Sequence, residues 1–505
     1  MELELERPQS MYSQPDHPLE RQTEQTKSAE ERAEMQPDQI FQRLAELFAA
    51  YQQEQGQGDY VAYLEPGELH KRLDLERESR PGDWQELFHW VETYLRYAVK
   101  TAHPGYINRM WAGANLPSII GEMTTALTNT SACTYETAPV STLMEKYLIQ
   151  SMLALVGFQH GVGQMTTGSS NANMIAMLAA RNRVSHCVKQ QGLFGQKELF
   201  AFVNEEAHYS LDRAANILGL GSEHLIKIAA DQHGRMDTEF LAAELERVTR
   251  TGGKAFFVTA TAGTTVRGGY DRLDPLLQLR ERYGFWLHVD GAWGGPVVFS
   301  PKLRAQYLPL LEQADSFTLD FHKMPGTALM CNVLLMRGNS SELRQALSAG
   351  DESYIFREGE DGSVRDLGTL SLQCGRRVDS LKWFLDWKFY GPAGLARRVE
   401  QYLELCAYAE AQIQQHEELE MVVPRESFNV CFRYRAPVGV DPARLNTAIR
   451  ERMQRQGRYL VGTGFVKGEL ALRLLVTNIQ VGRPEIDDFL ATVVRSGQET
   501  LTAGA

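Results

Sequence analysis

AFFVTATAGTTVRGGYDRLDPLLQLRERYGFWLHVD, residues 255–290, decides the fold. It opens on an apolar run (AFFVTA, 255–260) and passes through a Gly/Thr turn. RLDPLLQLRERYG follows with apolar residues at helical spacing, and FWLHVD (285–290) is a second apolar run. Strand, helix and strand in this order form a βαβ unit. The same alternation extends outward. Upstream, LFAFVN (199–204) precedes helix-like SLDRAANILGL, and LIKIA (225–229) precedes TEFLAAELERVTR; downstream lie SFTLD (316–320) and NVLLMR (332–337). The prediction is an α/β fold with a mainly parallel central sheet and helices on both faces. Such sheets bind ligands beyond the carboxyl ends of their strands, so functional residues are expected just after strands.

The flanks read differently. Residues 1–37 are rich in Glu, Gln, Pro and Ser and poor in apolar groups, which predicts a mobile tail. Residues 38–102 carry two amphipathic stretches, QIFQRLAELFAAYQQ and DWQELFHWVETYLRYAV, the second with Asp83 placed as N-cap. They predict a helical arm ahead of a large domain at 103–375. From 376 to 505 a long amphipathic stretch and the strand-like MVV, VCFRYR and ALRLLVT predict a smaller α+β domain. A net charge of −12 without basic blocks argues against nucleic-acid and anionic-membrane partners. No apolar run reaches the roughly 18 residues of a membrane span. Six scattered cysteines show no metal-ligand spacing, so no metal site is expected. Reduced thiols and a start without a secretory pattern point to the cytoplasm.

The chemistry sits at strand ends. Asp290 closes FWLHVD; alone, it could simply cap the next turn. Lys323, in LDFHKMPG (319–326), could alone be a solvated lysine. Together they fit pyridoxal 5′-phosphate (PLP) chemistry. A lysine holds the aldehyde, and an acid keeps the pyridine nitrogen protonated so that the ring can absorb an electron pair. TTGSSNANMIAMLAAR (166–181) runs from a small, hydroxyl-rich turn into a helix. Gly168, Ser169 and Ser170 there could cup a phosphate at the helix N-terminus, or merely cap the helix. His208, in NEEAHYS, could stack on a flat ring. The Thr261 hydroxyl follows another strand and could meet the cofactor ring or the substrate carboxylate.

Taken jointly, these residues resemble the group II PLP-dependent amino-acid decarboxylases, the glutamate, cysteine sulfinate and aspartate enzymes above all. The landmarks are HPGYINRMWAG (103–113), ALTNTSACTYETAPVSTLME, NEEAHYS, VTATAGTTVRGGYD, WLHVDGAWGG, DFHKMPG, LQCGRRVD and LRLLVTN, in the family's order and spacing. The resemblance implies the aspartate-aminotransferase type of PLP-dependent transferase fold, in a homodimer with interface active sites. It implies decarboxylation of a small acidic L-amino acid to CO2 and the amine. Lys323 then corresponds to the Schiff-base lysine, Asp290 to the pyridinium partner and His208 to the stacking histidine. Ser169, Ser170 and His322 fall where the family holds the phosphate. Arg473 falls where acidic-substrate members bind the substrate's side-chain acid.

The chain departs from the pattern in three places. Asp320-Phe321-His322-Lys323 stands where glutamate decarboxylases read NPHK, and this motif is similar to that of diaminobutyrate-type members. A diamino acid is therefore the alternative substrate, and transamination the alternative reaction. Gly291 stands where Ala is usual. The loop DGSVRDLGT (361–369) has Asp361 where animal enzymes carry the tyrosine that protonates Cα, which makes Tyr354 the candidate donor, from its own or a partner subunit. Ser131 and Trp111 are expected in the substrate wall. Ser131 leans towards the shorter acids, whereas Cys133 matches neither substrate group.

Overall fold

The computed structural model describes residues 35–75, 82–184, 187–348, 350–357, 359 and 364–503. Nearly all of the tail expected at 1–37, and Asp361 in the loop, lie outside the described residues.

The segment read above folds as a βαβ unit at the centre of a seven-stranded sheet. In chain order, β1 (Tyr106–Ile107) belongs elsewhere, and the large sheet comprises β2 (Val162–Thr166), β3 (Leu199–Asn204), β4 (Leu225–Ile228), β5 (Lys254–Thr261), β6 (Trp286–Asp290), β7 (Ser316–Asp320) and β8 (Asn332–Met336). Their spatial order is β2-β8-β7-β6-β5-β3-β4. The pairs among β3 to β7 are parallel, and β8 runs antiparallel to both β7 and β2. The antiparallel pairing of β7 with β8 follows from their short connection, which is a turn and not a crossover helix. That turn carries His322 and Lys323.

Two strands escaped the sequence reading for a packing reason. β2 is VGQMT, and a Cβ on Gly163 would meet the Leu334 carbonyl oxygen and Leu335 Cδ2, each at 2.7 Å. The close approach demands a glycine where an apolar side chain would have signalled a strand. β11 (Leu460–Val466), LVGTGFV, is interrupted in the same way, since a Cβ on Gly464 would lie 2.7 Å from Val266 Cγ1.

β11 belongs to a five-stranded sheet with β9 (Leu419–Met421), β10 (Asn429–Tyr434), β12 (Glu469–Leu475) and β1, in the order β1-β11-β12-β10-β9. β1 comes from residues expected to lie with the large sheet. It carries the segment 108–111 from the small sheet towards the end of the large one. The helical stretch Asp379–Gln415 breaks at Gly391 (φ 62°, ψ 171°), ahead of Pro392, which could not continue it.

The arm holds α1 (Pro37–Glu54), α2 (Pro66–Leu73) and α3 (Trp84–Tyr97). Asp83 caps α3 as expected, its side chain accepting from Glu86 N–H. Of these three helices' residues, only Phe88 is buried. α4 (Leu116–Thr128) and α5 (Pro139–Val156) likewise leave apolar side chains in the open, and α6 (Ser169–Val184) lies across the middle of the large sheet.

Candidate active site

The parallel register sets the site. Thr261 and Asp290, the last residues of β5 and β6, are direct partners, and Asp290 pairs with Thr318 of β7. Strand ends one spacing apart, about 4.8 Å, thus present Thr261, Asp290 and the Asp320–Lys323 turn in one row. Beyond that row lies a cavity of about 340 Å³. It is lined by residues read from the sequence: Trp111, Gly168, Ser169, Ser170, His208, Thr261, Asp290, Asp320, His322, Lys323 and Arg473.

At one end, Lys323 Nζ lies 3.1 Å from Asp320 Oδ2. Asp320 is buried. Its other oxygen accepts from Asn332 Nδ2 (2.7 Å) and Ser169 Oγ (3.0 Å). Burial works against this charge, but Lys323 and His322 beside it outweigh burial and hold the carboxyl below its usual range. The Ser169 hydroxyl therefore faces Asp320, leaving Ser170, exposed in the first turn of α6, to face the cavity. His322 Nδ1 sits 2.8 Å from the Cys331 carbonyl oxygen, and burial lowers its proton affinity.

At the other end, Asp290 Oδ2 accepts from Asn173 Nδ2 (2.8 Å) and Oδ1 from Ala292 N–H (3.1 Å). His208 accepts the Ser210 N–H at Nδ1 (3.2 Å), and burial pushes its proton affinity down although Asp290 opposes this. It is a neutral, flat ring at the cavity wall. Two observations show room and donors for a bound group. Among the described residues the buried Thr261 hydroxyl has no hydrogen-bond partner, and Gly168, at φ +111°, has only Met330 Cε (2.5 Å) near where a Cβ would stand. The first turn of α6 adds the free N–H groups that a helix N-terminus offers an anion. These residues suit PLP.

The third wall comes from the small sheet. Arg473 of β12 is 7% exposed, and its guanidinium donates to the carbonyls of Thr265 and Asn108 (3.4 Å to the latter). Its Nε has no partner, and no carboxylate pairs with it among the described residues. Burial, and the neighbouring Arg109, lower its proton affinity, although a guanidinium stays charged.

Two expected residues fall elsewhere. Ser131 does not line the cavity; its hydroxyl accepts the Arg376 N–H at 3.1 Å, which ties the loop before α5 to the QCGRR segment. Tyr354 is 80% exposed and is likewise not brought to Lys323 within the chain. The sequence reading missed Arg109 and Asn173. Asn173 lies one helical turn after Ser169, on the same face, and that spacing was the available signal.

The fold and this cavity define a PLP-dependent decarboxylase. The pyridoxal-dependent decarboxylase conserved domain matches residues 66–435, and the chain belongs to that family. It is 35% identical to mouse cysteine sulfinic acid decarboxylase over 451 residues, 86% of this chain and 91% of that protein. It is 33% identical to the acidic amino acid decarboxylase GADL1 of Xenopus tropicalis, over 86% of this chain and 88% of that protein. The crystal structure of mouse CSAD superposes with a TM-score of 0.87 at 32% identity, covering 92% of this chain and 99% of that one. The enzyme is thus an amino-acid decarboxylase that uses PLP.

Proposed function

We propose that the substrate is a small amino acid with an acidic side chain, aspartate, cysteine sulfinate or glutamate, which leaves as CO2 and the corresponding amine. The observation that carries this reading is Arg473, a buried guanidinium without a carboxylate partner, in the same cavity as Lys323. Its unused N–H groups form a fork suited to a planar carboxylate or a sulfinate. The names of the two relatives, both acidic-substrate enzymes, point the same way.

When bound, PLP would supply an electron sink for the pair left on Cα. Lys323 would anchor the cofactor, and the Asp290 carboxylate would hold a proton on the ring nitrogen. His208 would offer its neutral face to the ring, and the Thr261 hydroxyl would be available to the ring hydroxyl. Ser170, His322 and the first-turn N–H groups of α6 would hold the phosphate, while Ser169 positions Asp320. Arg473 orients the substrate by its side-chain acid, and Trp111 and Met330 narrow the space left to water. Tyr354, exposed on its own chain, could return the proton to Cα only across a subunit interface.

Homodimerisation is supported by a stripe on α4. Leu116, Ile120, Met123 and Leu127 follow helical spacing and are each at least half exposed. Such a face is stable in water when a second copy covers it. Sedimentation at the monomer mass of 56.9 kDa at micromolar concentration would contradict this reading. The buried thiols of Cys133, Cys331, Cys406 and Cys431 support a cytoplasmic location, which cell fractionation tests.

The functional test is CO2 release by the purified enzyme from a panel of acidic, diamino and aromatic amino acids. One of the three acids should turn over fastest. Faster turnover of a diamino or aromatic substrate would overturn the acidic reading.

A further inference from the structure

Behind Asp290 runs a line of buried polar groups that no step above uses. Trp286, Ser316, His288 and Asn173 are each wholly enclosed, at 0% exposure. Trp286 Nε1 lies 2.7 Å from Ser316 Oγ, which lies 2.8 Å from His288 Nδ1. His288 Nε2 lies 2.9 Å from Asn173 Oδ1, and Asn173 Nδ2 lies 2.8 Å from Asp290 Oδ2. The fold builds this line. His288 is two residues before Asp290 on β6, hence on the same face, and Ser316 is its direct partner on β7.

The two ends fix where every proton sits. A carboxylate only accepts, so Asn173 must turn its amide N–H to Asp290 and its oxygen to His288. His288 must then carry its proton on Nε2, which leaves Nδ1 to accept from the Ser316 hydroxyl. From the far end, the indole of Trp286 only donates, which fills a lone pair on Ser316 and turns that hydroxyl's proton to His288. Both ends give the same tautomer. Burial holds His288 down at about 4, so a second proton does not interrupt the line near neutral pH.

We infer that His288 is a positioning residue. Acting through Asn173, it aligns four donors towards Asp290, fixing the orientation of that carboxylate at the cofactor's ring nitrogen. In a dry interior these aligned dipoles are weakly screened and reinforce one another. The inference rests on the role proposed above for Asp290.

The test compares His288→Leu, His288→Gln, Ser316→Ala and Asp290→Asn in the full-length enzyme. PLP affinity is read by absorbance titration of the apoenzyme, alongside kcat, KM and Tm. His288→Leu should weaken PLP binding and lower kcat by about tenfold or more each, with KM within about threefold. Glutamine keeps an N–H for Asn173 and a carbonyl for Ser316, so His288→Gln should recover most of that loss. Ser316→Ala removes one hydroxyl three links from Asp290 and should weaken PLP binding by about threefold or more. It decides the matter if the leucine variant does not fold. Folded variants with wild-type PLP affinity and kcat, or a glutamine variant no better than leucine, overturn the inference. An unaffected Asp290→Asn enzyme overturns the reading of Asp290 itself; loss there with an intact His288→Leu enzyme overturns only the relay.

Discussion

Replacing Arg473 by alanine tests the substrate reading. Two of the guanidinium's five N–H donors go to the Thr265 and Asn108 carbonyls, and Nε is unpartnered. A bound acid would therefore gain up to two charge-assisted hydrogen bonds, each about 1.5–3 kcal/mol. Water entering the emptied space would replace part of this, so a net loss of about 3–4 kcal/mol is reasonable, or about 10²–10³ in kcat/KM. Arg473→Lys keeps the charge and loses the fork, so it should fall between wild type and alanine. The assay is steady-state CO2 release over a range of concentrations of the preferred acid. The loss should fall mainly on KM, because the side-chain acid is held alike before and during reaction. A kcat/KM for the alanine variant within about threefold of wild type would refute the reasoning.

Gly291→Ala places a Cβ 2.4 Å from Phe317 Cε2 and 2.8 Å from the Thr318 carbonyl oxygen, so it should cost about 1–3 kcal/mol of stability. A Tm equal to wild type would contradict this. Burial lowers His288 from 6.5 to about 4 in the fold, so the unfolded chain binds the extra proton first as pH falls through that window. Stability is retained above about pH 6.5, and wild type should lose about 2 kcal/mol on this account by pH 5. His288→Gln should not show that part of the loss; equal acid sensitivity of Tm in both proteins would contradict it. Tyr354→Phe should lower the amine yield per CO2 if this tyrosine returns the proton, and an unchanged yield rules it out.

The parallel sheet was legible because its strands are buried and several read as unbroken apolar runs, as at 199–203 and 255–258. β2 and β11 were not, because Gly163 and Gly464 admit neighbouring chains where side chains would have signalled a strand. The cavity was legible wherever a chemical group follows a strand, as Thr261, Asp290 and Lys323 do. Arg473 stood out as a charge inside the apolar run LALRLLVT. Within the chain Ser131 lies outside this cavity, because its hydroxyl holds the Arg376 backbone. The direction of the line from Trp286 to Asp290 was not legible, since it depends on contacts between β6, β7 and α6 that no local pattern encodes. Gly291 drew attention only as a departure from Ala; the ring of Phe317 beside it gives the packing reason.

The most direct test of the account is to reduce the PLP-loaded enzyme with borohydride and locate the pyridoxyl group by peptide mass mapping. It should lie on Lys323, in the peptide containing DFHKMPG, with the visible absorbance lost on reduction and absent from a folded Lys323→Ala protein. A pyridoxyl group on any other lysine, or a Lys323→Ala enzyme that still releases CO2 at the wild-type rate, would contradict it.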